Sequence, residues 1–135
     1  MSVLLVVLLV ALGGGAGSAL RWGIGEAWVS RLDRDRSGTA GKRDMPWPVF
    51  GANVLACFLL GIIAVEFGSA TAGAGRFAFL LLATGFCGGL STLSTAALDT
   101  VQLMRRGTGV LATSYVLLTV GASMAALWLG VVIAA

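Results

Sequence analysis

Apolar residues fill four long stretches of this chain, and polar residues collect in the three gaps between them. Each stretch is close to the ~20 residues that a helix needs to cross a bilayer. The pattern predicts spans at residues 3–22, 47–67, 77–103 and 110–135, joined by 23–46, 68–76 and 104–109. The third span departs from the others. Its centre reads Gly85-Phe86-Cys87-Gly88-Gly89-Leu90-Ser91-Thr92-Leu93-Ser94-Thr95, with a glycine pair followed by four hydroxyl residues. Glycine weakens a helix, and a pair invites a break. Open backbone at membrane depth survives only where it is buried in protein or lines a hydrated cavity. The expectation is a discontinuous helix, broken at Gly88-Gly89, with exposed carbonyls of the kind that hold ions.

Composition sharpens the class. The 135 residues are 58% hydrophobic and 11% charged, where soluble domains carry about 25% charge. An all-α integral membrane protein of a single four-helix domain follows, with no room for a second. Histidine is absent, and Cys57 and Cys87 sit in apolar segments without a CxxC spacing. That argues against a structural zinc site, a disulfide framework or an enzyme built on a nucleophile–base pair. The segment Met1–Leu12 is apolar from its start and reads as a retained first span rather than a signal peptide. Trp22, Trp47 and Trp128 suit the aromatic belt at the membrane interface.

The net charge of +3 is concentrated in loops and bears on topology, not on nucleic acid. Arg21, Arg31, Arg34, Arg36, Lys42, Arg43, Arg105 and Arg106 fall on one side of the four spans, facing Asp33, Asp35 and Asp44 in the first loop. The other side holds only Arg76. The positive-inside rule then puts both termini outside the cytoplasm.

Within the spans, polar positions form a pattern. Gly13 and Gly17, and Gly14 and Ser18, are small-xxx-small pairs that allow close helix packing in lipid. Arg21 is either an interfacial snorkeller or a charge at a vestibule. Asn53 is either an interhelical hydrogen bond, worth about 1 kcal/mol, or an amide donor to a passing anion. Glu66 ends the second span and reads as interfacial. Ser91, Thr95 and Asp99 recur every four residues and would share one helix face, as would Tyr115, Thr119 and Ser123. A single hydroxyl in a membrane helix commonly bonds its own backbone. Two such stripes together with Asn53 suggest a polar track through an apolar bundle.

These residues resemble the Fluc/CrcB fluoride channels over nearly the whole chain. The Gly14–Arg21 segment is similar to that family's glycine-rich first span ending in arginine. Ala52-Asn53-Val54-Leu55-Ala56-Cys57-Phe58-Leu59-Leu60-Gly61 is similar to its second-span motif. The Gly85–Thr95 stretch is similar to its helix-break signature. The resemblance implies a multi-pass protein of the cell membrane that lets fluoride leave the cytoplasm passively. It implies an antiparallel dimer of four-helix subunits with two narrow fluoride paths along the interface. It also implies a structural sodium ion at the centre, held by backbone carbonyls, which by position are those of Gly88 and Ser91. Asn53, Ser94 and Thr95 match pore positions, Thr119 and Ser123 match a hydroxyl track, and Arg21 matches a residue near a pore mouth. Asp99 stands where the family usually has Glu.

One difference is serious. The family's two pore phenylalanines correspond to Leu93 and Ala96, which lack the positive ring edge an anion can use. Combined with the charge asymmetry, this points to one half of a heterodimer, completed by an oppositely oriented homologous subunit that carries the phenylalanines. A non-conducting assembly subunit is the alternative. A proton-coupled exporter of the small multidrug class is a further one, disfavoured because its usual first-span Glu is missing.

Overall fold

The computed structural model describes residues 3–35 and 46–135, and these are helical apart from short turns. Helix α1 runs Val3–Asp35, α2 Trp47–Phe67 and α3 Gly73–Phe79. The chain continues as a π-helical segment, Leu80–Cys87, and a last α-helical turn, α4, at Gly88–Leu90. After a break at Ser91 and Thr92, α5 covers Leu93–Arg105 and α6 covers Gly109–Ala134. Among the described residues, four runs are long and apolar enough to cross a membrane: Val3–Arg31, Trp47–Phe67, Gly73–Arg105 and Gly109–Ala134. The chain is a multi-pass membrane protein.

Two expectations need correction. The first loop does not begin at residue 23, because α1 continues to Asp35. Beyond Gly25 no glycine or proline interrupts the stretch, and Glu, Ala, Leu and Arg there favour a helix. At 1.5 Å per residue, 33 residues make a rod of roughly 50 Å, which carries its polar end beyond a ~30 Å hydrocarbon layer. Arg36, Lys42, Arg43 and Asp44 lie outside the described residues.

The second correction concerns the break. Gly88 and Gly89 stay helical, and the chain opens at Ser91 (φ −74°, ψ 149°) and Thr92 (φ −151°, ψ 110°). Gly89 is needed for contact instead: a Cβ there would land on the backbone of Gly14. Ser91 therefore precedes α5 and does not share a helix face with Thr95 and Asp99. The wide π-helical turns just before the opening are a feature often found at functional sites.

Packing follows the small residues. On α1, a Cβ at Gly13 would strike the Leu81 carbonyl, and one at Gly17 the Phe86 carbonyl. The Ser18 hydroxyl donates to the Gly89 carbonyl at 3.3 Å. Thus the stripe Gly13, Gly14, Gly17 and Ser18 holds α1 against the first half of the broken span, as lipid-embedded helices require. Gly61 and Gly130 do the same for α2 and α6, each facing the other helix's backbone. Two apolar clusters complete the interior. Ala52, Ala56 and Leu90 pack with Ile24 and Phe86. Leu103, Ala112 and Tyr115 pack with Phe50, Ala96 and Leu111. Trp22, Trp47 and Trp128 are exposed.

Candidate ion path at the helix break

The break is held by side chains. Asn53, buried on α2, accepts a hydrogen bond from the Thr92 amide through Oδ1 at 2.7 Å. Its Nδ2 donates to the Thr92 carbonyl at 3.4 Å. The Thr92 hydroxyl in turn accepts the Thr95 amide at 3.3 Å and caps the N-terminus of α5. Ser94 and Thr95 place their hydroxyls 3.3 and 3.0 Å from Thr92 Oγ1. Extended backbone inside an apolar bundle is thereby paired at Thr92 by one amide side chain, as a low-dielectric setting demands.

Asn53 borders two adjoining cavities. One, of 260 Å³, is lined by Asn53, Cys57, Ser91, Thr92, Leu93, Thr119, Val120, Ser123 and Met124. The other, of 370 Å³, brings Asn53 together with Leu93, Ala96, Thr100, Tyr115 and Thr119. The polar residues of α2, of the break and of α6 are thus brought together. Their hydroxyls are not equivalent. Thr119 donates to the Tyr115 carbonyl at 2.7 Å, and Thr100 to the Ala96 carbonyl at 2.7 Å, so these protons are spent on the helix backbone. The Ser123 hydroxyl and the Tyr115 phenol are buried with no partner among the described residues. Buried polar groups are normally paired. Ser123 lines the smaller cavity with Asn53, so an unspent hydroxyl and an amide border one track that can hydrogen-bond an anion.

Leu93 and Ala96 both line the larger cavity, and Leu93 is 86% exposed. They present only aliphatic carbon to it. Ser94 is exposed and Thr95 half-buried; they belong to the cap of α5, not to the lining of either cavity. Arg21 is half-buried on α1 and lines neither. Asp99 faces a small separate cavity of 120 Å³ with Pro46, Gln102, Leu103 and Arg106.

A third cavity, of 250 Å³, contains Gly88 and Ser91 together with Ala56, Cys57, Leu60, Ala83, Thr84 and Cys87. In an unbroken helix the Thr92 amide would close on the Gly88 carbonyl and the Thr95 amide on that of Ser91. Here both amides are taken by side-chain oxygens. Two carbonyls are therefore released on residues that border one cavity, which is the donor chemistry a small hard cation requires.

The spacing in the sequence put Asn53, Tyr115, Thr119 and Ser123 on one polar track but passed over Thr92. For Thr92 nothing local distinguished it from its hydroxyl neighbours.

The chain matches the family described as CrcB-like protein, Camphor Resistance (CrcB), over residues 8–131. It is 40% identical over 126 residues to the Fluoride-specific ion channel FluC of Rhizobium etli, covering 93% of each chain. It is 39% identical to the protein of the same name from Chlorobaculum tepidum, covering 95% of this chain and 93% of the relative. The Fluoride-specific ion channel FluC 2 of Rhodococcus jostii is 38% identical, with 93% and 96% covered. This chain, with its broken third span and its buried amide at the break, belongs to the CrcB-like family.

Proposed function

We propose that the chain is a subunit of a fluoride channel that lets the anion leave the cytoplasm passively. One observation carries this reading: the Asn53 amide borders the same cavity as the Thr119 and Ser123 hydroxyls, in the middle of apolar helices. The relatives' names supply the ion. Fluoride enters cells as neutral HF, dissociates at the higher internal pH and is trapped. A membrane potential of 100 mV favours the exit of one negative charge by about 2.3 kcal/mol, so no coupled energy source is needed.

The path is completed by an oppositely oriented second subunit. Leu93 leaves a large apolar surface open on α5, which an antiparallel partner would cover. Because Leu93 and Ala96 offer no ring edge, this chain supplies the amide and hydroxyls while a homologous partner supplies the phenylalanines. Nearly all the basic residues of the sequence fall on one side of its spans, which supports a fixed orientation and hence a heterodimer. The released carbonyls of Gly88 and Ser91 fit a structural sodium ion at the centre of such a dimer. When bound, sodium would supply fixed positive charge that offsets the cost of an anion in a low-dielectric site.

The test is fluoride efflux from liposomes, followed with an electrode. The protein alone is expected to be silent, and a mixture with a phenylalanine-bearing relative is expected to conduct. Efflux from the protein alone would overturn the heterodimer and keep the channel. Silence in the mixture, with the partner incorporated, would leave a non-conducting assembly subunit.

A further inference from the structure

Two cavities share Cys57 and Ser91 at the helix break, and Thr92 borders one of them. One holds the hydroxyls of the anion track, and the other holds the released carbonyls of Gly88 and Ser91. The peptide between them is set by three hydrogen bonds: Thr92 amide to Asn53 Oδ1, Asn53 Nδ2 to the Thr92 carbonyl, and Thr95 amide to Thr92 Oγ1. The first and third of these have a second effect. Each removes an amide that would otherwise close on a carbonyl of the cation site. The amide lost to Gly88 is the one that Asn53 captures, and the amide lost to Ser91 is the one that the Thr92 hydroxyl captures.

We infer that Asn53 and Thr92 are positioning residues for the central cation, and that the Asn53–Thr92 pair couples the cation site to the anion track. Neither side chain is among the cation's expected ligands. They act by holding the break open. Without the Asn53 carbonyl oxygen, the Thr92 amide is a buried donor in want of a partner, and the Gly88 carbonyl lies one helical turn behind it. Re-forming that helical bond satisfies the amide and withdraws the carbonyl from the cation. Without the Thr92 hydroxyl, the Thr95 amide and the Ser91 carbonyl stand in the same relation. The amide of Asn53 that faces the track is therefore fixed by the same bonds that present the carbonyls, so loss of one site disturbs the other. This rests on the sodium reading above.

The experiment follows thermal unfolding of the full chain, in detergent with its partner subunit, across a sodium titration balanced with N-methyl-D-glucamine. A ligand that binds only the folded state raises the unfolding temperature with its concentration. The wild type is expected to respond to sodium. Asn53→Ala and Thr92→Val are expected to need about tenfold more sodium for the same response, because the re-formed helical hydrogen bond competes with the cation for its carbonyl. Thr92→Ser keeps the hydroxyl and is expected to respond as the wild type does. Asn53→Asp keeps the oxygen that accepts the Thr92 amide but loses the Nδ2 donor. It is expected to keep the sodium response while losing fluoride efflux, which separates the two roles.

A lower unfolding temperature in Asn53→Ala with an unchanged sodium dependence would mean a merely structural role and would overturn the inference, leaving the sodium site standing. The same holds if Asn53→Asp loses the sodium response. No sodium response in the wild type would remove the cation reading and this inference together, while fluoride efflux from the same preparation would still judge the channel. If the alanine and valine variants do not fold, Thr92→Ser and Asn53→Asp decide it alone.

Discussion

The two halves of the broken span are held in opposite ways. The first half is locked backbone to backbone against α1 from Leu80 to Leu90, with Gly13, Gly17, Gly85 and Gly89 at the contacts. The second half, α5, packs chiefly on α6 and leaves Leu93, Leu98, Val101 and Met104 largely exposed. One half is fixed by the absence of side chains and the other by their presence. Rigidity belongs to the half that presents carbonyls, and an open surface belongs to the half that borders the polar track. The two demands fit the proposed roles, since a cation seat would have to keep its geometry while an open face is free to be covered.

The comparison can be broken from the glycine side with the largest effect. Gly17→Val is expected to abolish folded protein, since even a Cβ there meets the Phe86 carbonyl and the Leu90 amide. Gel filtration in detergent should show loss of the monodisperse peak. Next in size, Asn53→Ala should cut fluoride efflux at least tenfold, because an unpaired buried donor costs about 1–3 kcal/mol and the track loses its amide. The double substitution Leu93→Phe with Ala96→Phe sharpens the comparison from the other half. Under the heterodimer reading proposed above it should supply ring edges to the second path, with efflux in liposomes containing both subunits rising above that of the wild-type mixture. The smallest effect belongs to Gly15→Ala. A Cβ at Gly15 meets nothing within 4 Å, so helix propensity should stabilise the protein by up to about 1 kcal/mol. Thermal unfolding beside Gly17→Ala, which should be destabilised, measures the contrast directly.

Much of this was legible in the sequence. Length and hydropathy located the four spans, and α2 begins and ends where its apolar run does. The break was legible as a region but not as a residue. Gly88-Gly89 looked like the weak point because propensity is local, whereas the helix is kept through it by contact with α1. The opening falls on Ser91 and Thr92 because Asn53, 39 positions away, captures the Thr92 amide. No local rule reports such a partner. The end of α1 was misjudged for a related reason: hydropathy marks where the lipid ends, not where the helix does. Asn53 was open between structural and anion-binding roles. The fold gives it a structural one outright, and its place beside two cavities keeps the other.

The length of α1 has a consequence for how the subunit is made. Its C-terminal turns carry the charges of Glu26 and Arg31 on the same continuous helix. To turn over after insertion, α1 would have to draw these charges through the bilayer, at about 2.5–3.5 kcal/mol or more for each charge at the centre. The first helix is therefore a one-way bolt. Once it has been threaded, its direction is costly to reverse, and the later spans are laid down against a helix already set.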